Sequence, residues 1–162
     1  MPVGAYGGRR EILSMVSPSG PVYQAGTLSG NPVAMAAGLA QLKILRDTPG
    51  VYEELNRTGN WFFGEMENIL HEEEIPCTVN HTASLGCVFF TPYPVRNYEE
   101  ALKSDTERFA AYFRHMLARG LYFAPSQFEA IFLSAAHTRA DLERTLWALK
   151  EYIQIVKSTK RI

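Results

Sequence analysis

Pro76-Cys77-Thr78-Val79-Asn80 and, four residues on, Leu85-Gly86-Cys87-Val88-Phe89-Phe90-Thr91 form the stretch on which the architecture turns. Both arms are rich in β-branched and aromatic residues, which fit a half-buried pleated surface, and a polar turn containing His81 separates them. The expected element is a β-hairpin. Thr91-Pro92-Tyr93-Pro94 closes it, because neither proline can donate to a sheet ladder. Two further strand candidates, Leu121-Tyr122-Phe123-Ala124 and Ala130-Ile131-Phe132-Leu133-Ser134, flank Pro125-Ser126-Gln127-Phe128-Glu129.

Helices surround these strands. Residues 9–16 predict a short helix, ended by Ser17-Pro18-Ser19-Gly20-Pro21. Asn31-Pro32 predicts a helix start, with Asn31 accepting from first-turn amides and Pro32 where no donor is needed. That helix runs to about Arg46, and the small residues 34–40 predict that it is buried. Thr48-Pro49 predicts a second long helix to His71, with Val51, Leu55, Phe62, Met66, Ile69 and Leu70 at helical spacing. Ser104 and Glu107 read as a capping box opening a helix to Gly120 through Phe109, Tyr112, Phe113, Met116 and Leu117. Thr138 through Asp141 caps a last helix with Leu142, Leu146, Leu149, Ile153 and Val156 on one face. Two or three strands covered by four helices make an α+β layer.

The composition fits one folded core and excludes disorder as the main state: 162 residues, 46% hydrophobic and 20% charged. A net charge of −1 argues against nucleic acid as a partner, and the basic end Lys157, Lys160, Arg161 reads as a solvated helix terminus. No apolar run of membrane-spanning length occurs, so no membrane partner is expected. Cys77 and Cys87, the two cysteines, lack metal-ligand spacing and read as small core residues in a reducing cytoplasm. The four histidines, His71, His81, His115 and His137, show no metal spacing either, and no metal is expected. The Gly-rich, strand-like opening, residues 1–8, suggests a chain that begins inside a larger fold.

One loop holds the ingredients of an anion site, Tyr23-Gln24-Ala25-Gly26-Thr27-Leu28-Ser29-Gly30-Asn31-Pro32. Glycines permit close backbone approach, Thr27 and Ser29 offer hydroxyls, and a helix N-terminus follows. By pattern alone two readings stay open: a phosphate cradle, or a loop shaped by Gly26 and Gly30 with Ser29 or Asn31 as a plain cap.

The run Pro2 to Ile12 with Gly20 to Pro32 resembles the glutamate-1-semialdehyde aminomutases, a branch of the class III pyridoxal-phosphate aminotransferases. The likeness continues through Asn97-Tyr98-Glu99-Glu100-Ala101, Ser104 to Ala110 and Ala124-Pro125-Ser126-Gln127-Phe128-Glu129-Ala130, to Ser134-Ala135-Ala136-His137-Thr138. The Gly-Thr-Leu-Ser-Gly-Asn-Pro run alone resembles many class III members, whereas its combination with Pro-Ser-Gln-Phe-Glu-Ala is much more specific to the aminomutases.

The resemblance implies the small C-terminal domain of the class III fold, an antiparallel sheet covered by helices, preceded by a remnant of the large α/β domain. Residues 1–31 would end the large domain, 32–46 connect, and 47–162 form the small domain. The implied cofactor is pyridoxal 5'-phosphate, alternating with pyridoxamine 5'-phosphate. Gly26 and Thr27 inherit binding of its phosphate, in the neighbouring subunit of a homodimer, and Glu129 matches the residue that faces the small-molecule substrate. The implied reaction turns glutamate 1-semialdehyde into 5-aminolevulinate for tetrapyrrole synthesis, in the cytoplasm or, for a plant parent, the plastid. The family's Schiff-base lysine precedes the stretch at which this chain starts. Lys43 matches no family motif, so no catalytic residue is assigned and the chain alone is expected to be inactive. Alternatives are a piece of another class III ω-aminotransferase, or a non-catalytic interaction module.

Overall fold

A computed structural model describes residues 3–159. Met1 and Pro2 of the expected opening strand, and Lys160 and Arg161 of the basic end, lie outside the described residues. The chain divides into two compact units, Met1–Pro49 and Gly50–Ile162.

In the first unit, α1 (Arg10–Leu13) is shorter than expected and leads through a single bridge between Val16 and Val22 to α2 (Pro32–Asp47). Residues 3–8 carry no ladder pairing among the described residues. The Asn31 carboxamide oxygen accepts from the amides of Val33 and Ala34, each at 3.1 Å, so the expected cap forms. The expected burial of α2 does not. Ala34 is its one buried residue, while Leu39 and Leu42 are 55% and 66% exposed. Small residues permit close packing only where an element faces them, and within this unit little does. Val3 alone crowds Gly38, where a Cβ would lie 2.9 Å from a valine methyl.

The second unit is an antiparallel sheet under helices. β1 (Thr78–Thr82) pairs with β2 (Leu85–Phe89), and β2 with the two-residue β3 (Ile131–Phe132). His81 sits inside β1 opposite Gly86, not in the turn. The turn is only Ala83 and Ser84, with Ala83 in the left-handed region (φ 50). Its tightness lets the ladder run on to Thr82 opposite Leu85. Residues 121–124 form no strand, because β2 finds its second partner only at Leu85–Phe132 and Gly86–Ile131.

Three long helices, α3 (Val51–Glu72), α5 (Thr106–Ala118) and α6 (Arg139–Thr159), supply most of the core, and the short α4 (Tyr98–Ala101) precedes α5. Phe62, Met66, Leu70, Tyr112, Met116, Leu142, Leu149 and Ile153 are buried as their spacing requires. Phe63, Ala148 and Tyr152 join them off the expected stripe, whereas Leu117 is exposed. Tyr112 ties the layers together, its ring 5.6 Å from Phe90 and 5.5 Å from Tyr152.

Two helix starts differ from expectation. Thr48 closes α2, its amide donating to the Ile44 carbonyl, and Gly50, left-handed at φ 76, takes the α3 cap position without a side-chain bond. In α5 the cap is Asp105, accepting from the Arg108 amide at 2.9 Å, because the Asp105 amide is pinned to the Phe90 carbonyl at the end of the sheet. Ser104 instead finishes the turn after α4, donating its amide to the Ala101 carbonyl. The box at α6 forms as read: Thr138 and Asp141 exchange side-chain and amide hydrogen bonds. Lys157 pairs with Glu73 at 2.5 Å.

Helix α3 approaches the hairpin at Gly59, where a Cβ would fall inside the Ala83 carbonyl; at Gly64 an added Cβ meets nothing within 4 Å. Alanine is better by about 1 kcal/mol in a helix interior, so Gly64→Ala should raise the urea midpoint. Gly59→Ala should lower it by the equivalent of about 1–3 kcal/mol, since the helix must move off the hairpin. Equilibrium urea unfolding followed by circular dichroism reads both signs.

Candidate active site

Gly26 and Thr27 lie in the first unit, on the loop that feeds α2. The Ser29 amide donates to the Gly26 carbonyl at 2.9 Å and the Asn31 amide to the Leu28 carbonyl at 3.1 Å, a tight turn that Gly30 completes at φ 72. A Cβ at Gly26 would lie 2.9 Å from the Ser29 hydroxyl, so a side chain there would make that hydroxyl turn away. Residues 26–30 line one wall of an open concavity of about 650 Å³ with Val3, Gly4 and Met35. Thr27 is exposed there. Because Asn31 already takes the Val33 and Ala34 amides and Pro32 has none, the donors left to the concavity belong to the turn itself. Among the described residues, the Thr27 hydroxyl and the Thr27, Leu28 and Gly30 amides have no partner. Lys43 is exposed on α2.

Glu129 lies in the second unit, on the segment between residue 124 and β3. Gln127, only 3% exposed, anchors that segment by donating from Nε2 to the Val88 carbonyl of β2 at 2.6 Å. The Cys87 thiol, one residue earlier on the strand, reaches the carbonyls of Gln127 and Glu129 at 3.6 and 3.5 Å. Ser126 folds the segment, its hydroxyl accepting from the Phe128 amide and its carbonyl from the Glu129 amide. Gln127 thus points into the sheet and Glu129 is left exposed.

The Glu129 cleft is about 500 Å³, walled by Tyr122, Phe123, Pro125, Ile131, Phe132 and Leu133, with His137 and Thr145 as further polar lining. Apolar walls with a few convergent polar groups are the usual form of a small-molecule site. The sequence assigns no site role to Gln127, Cys87, Ser134 or His137. Gln127 and Cys87 act through contacts some 40 positions apart, which carry no sequence period, whereas the Ser134–His137 pairing spans three residues and lies within the Ser-Ala-Ala-His run. Among the described residues no cluster of His, Cys, Asp and Glu could hold a metal, and no helix is long and apolar enough to cross a membrane.

The half-buried thiols are poor nucleophiles. Burial pushes Cys87 up to about 11, and Cys77 likewise to about 11 despite the nearby Arg108 charge. Asp141, held by the Thr138 hydroxyl and amide, is shifted below the ordinary carboxylate range.

Fold and site together define a class. Residues 1–151 match the model of the class-III aminotransferases, and the chain belongs to that family. Within it, the chain is 54% identical over 155 residues to glutamate-1-semialdehyde 2,1-aminomutase 2 of Lachnoclostridium phytofermentans, covering 96% of this chain and 36% of that protein. It is 50% identical over 151 residues to the aminomutase of Thermus thermophilus, covering 93% and 36%. Among solved structures, a β-phenylalanine aminotransferase from Variovorax paradoxus superimposes with a TM-score of 0.81 at 27% identity, over 94% of this chain and 35% of that one. An ω-transaminase from Sphaerobacter thermophilus does so at 0.76 and 27%, over 91% and 34%. The chain therefore spans about a third of the length of the relatives it matches.

With both thiols held near 11, the thiolate fraction at pH 8 is about a hundredfold below that of a free cysteine. Iodoacetamide should alkylate the folded chain correspondingly slowly, and the rate should rise to the free-thiol value in urea. Mass spectrometry of quenched time points gives both rates.

Proposed function

We propose that this chain is the C-terminal part of a glutamate-1-semialdehyde 2,1-aminomutase, which converts glutamate 1-semialdehyde to 5-aminolevulinate. In this reading residues 1–31 end the large cofactor-binding domain, 32–46 connect, and 47–162 form the small domain. The observation that carries the reading is Glu129, held at a cleft by the buried Gln127 anchor, in a chain about half identical to aminomutases over nearly its whole length. A carboxylate at that cleft repels a substrate's second carboxylate and holds an amino group, which suits a reaction whose intermediate carries two amines.

The cofactor of the family is pyridoxal phosphate, and the residues of the 26–30 turn fit its phosphate. The Thr27 hydroxyl and the turn amides are donors without partners among the described residues, no carboxylate lines the concavity, and Gly26 leaves room for close approach. When bound, the cofactor supplies the electron sink for moving the amine. Thr27 and Gly26 hold the phosphate, in this reading that of the neighbouring subunit of a homodimer. Glu129 orients the substrate's amino end. The reading places the enzyme in the cytoplasm.

The test is the full-length protein containing this segment, supplied with glutamate 1-semialdehyde and no other amino donor or acceptor. 5-Aminolevulinate should form at a rate unaffected by keto acids. Absolute dependence on a separate keto acid would replace the reading by that of an ω-aminotransferase.

Thr27→Val keeps the branched shape and removes the hydroxyl. A hydrogen bond to a charged group is worth about 1.5–3 kcal/mol, so cofactor affinity should fall about tenfold to a hundredfold with the fold intact. Equilibrium dialysis and circular dichroism separate the two effects. Glu129→Gln should leave cofactor affinity unchanged and slow single-turnover consumption of 4,5-diaminovalerate by about tenfold.

A further inference from the structure

The Ser-Ala-Ala-His run is absorbed neither by the phosphate turn nor by Glu129, yet the structure gives it a defined shape. The Ser134 amide donates to Nδ1 of His137 at 3.0 Å, and the Ser134 hydroxyl lies 3.1 Å from the same nitrogen. The hydroxyl also accepts from the Ala136 amide at 3.3 Å, and the His137 amide donates to the Ser134 carbonyl at 3.1 Å, so the turn is closed on itself. A nitrogen that accepts from a backbone amide carries no proton, so in the neutral ring the proton sits on Nε2. Among the described residues nothing accepts from Nε2, and the ring lines the same cleft as Glu129.

Immediately beyond, Thr138 and Asp141 lock the start of α6, so the histidine stands between two fixed turns. A donor oriented in this way is pre-organised for an oxygen of a ligand. The carboxylates of Glu129, which lines the same cleft, and of Asp141, which interacts electrostatically with His137, disfavour an anionic oxygen there, which leaves an uncharged carbonyl or hydroxyl oxygen as the better partner.

We propose that His137 is a specificity residue whose Nε2–H donates to the carbonyl oxygen of the substrate, while Glu129 holds the adjacent amine, so that the cleft recognises a vicinal amino-carbonyl compound. The inference rests on the reading of Glu129 given above. Substrate and product of the aminomutase reaction each carry an amine next to a carbonyl, whereas 4,5-diaminovalerate carries two amines and no such oxygen. His137 therefore distinguishes the two ends of the reaction from its middle.

The experiment uses the full-length protein with His137→Phe, which keeps a flat ring and removes the donor, and His137→Gln, which carries an amide N–H to about the place of Nε2. For His137→Phe the KM for glutamate 1-semialdehyde should rise about threefold to tenfold, the range expected for loss of one neutral hydrogen bond. Single-turnover consumption of 4,5-diaminovalerate and cofactor retention should stay at the parent values. His137→Gln should recover most of the lost affinity. An unchanged KM in the phenylalanine variant overturns the proposal. So does an equal loss with the diamine, or failure of glutamine to rescue, since either makes His137 only a brace for the turn. If the parent instead requires a separate carbonyl acceptor, the aminomutase reading fails. The same split, read as KM for the carbonyl acceptor against KM for the amine donor, then decides the role of His137.

Discussion

Helix α3 lies against the hairpin because two positions have no Cβ. At Gly59 the helix meets the Ala83 carbonyl of the turn, and at Gly86 the strand meets the ring of Phe63, which also stacks on His81 at 5.5 Å. A methyl at either site would occupy space already filled by backbone or by a packed ring. This contact sets the height of the sheet under its helices. Phe62, Phe63 and Met66 fill the gap that it defines, and β2 is left with one edge for β1 and the other for β3.

That second edge of β2 positions Glu129. β3 is only two residues long, so the segment before it is held less by ladder hydrogen bonds than by the buried Gln127 amide on the Val88 carbonyl and by the Cys87 thiol on two carbonyls. A buried polar side chain is costly unless bonded: the Gln127 Nε2 is bonded and fixes the segment, while its buried Oε1 has no partner among the described residues. Gln127 turned inward leaves its neighbours facing outward, Phe128 partly against Tyr98 and Glu129 to the cleft. The thiol contributes as a fixed weak donor, consistent with burial having raised it far above neutral pH.

The first unit works by a different economy. Its turn at residues 26–30 is organised by backbone hydrogen bonds and a positive φ at Gly30, and Asn31 satisfies the helix start, so among the described residues the Thr27, Leu28 and Gly30 amides and the Thr27 hydroxyl are left without partners. The apolar side chains Val33, Leu39, Leu42 and Ile44 of α2 meanwhile stay exposed.

The sequence by itself determined the parts governed by neighbours a few residues apart. The Asn31-Pro32 start of α2, the Thr138–Asp141 box of α6 and the apolar faces of α3 and α6 follow from capping chemistry and helical period, and all formed. The hairpin was legible from its β-branched arms, and the tight turn before α2 from its glycines. Tertiary structure alone decided what depends on distant partners. It drew His81 into β1, because the turn could tighten to two residues with Ala83 left-handed. It moved the α5 cap from Ser104 to Asp105, because the Asp105 amide is pinned to Phe90. It denied a strand to residues 121–124 and burial to α2, because strands and faces need something opposite them. It also brought Glu129 and His137 to one cleft through the hydrogen bond of Gln127 to Val88, a contact 39 residues apart in the chain. Local free energies of a turn or a cap can be read from consecutive residues, whereas burial and register are properties of what the chain meets after it has folded back on itself.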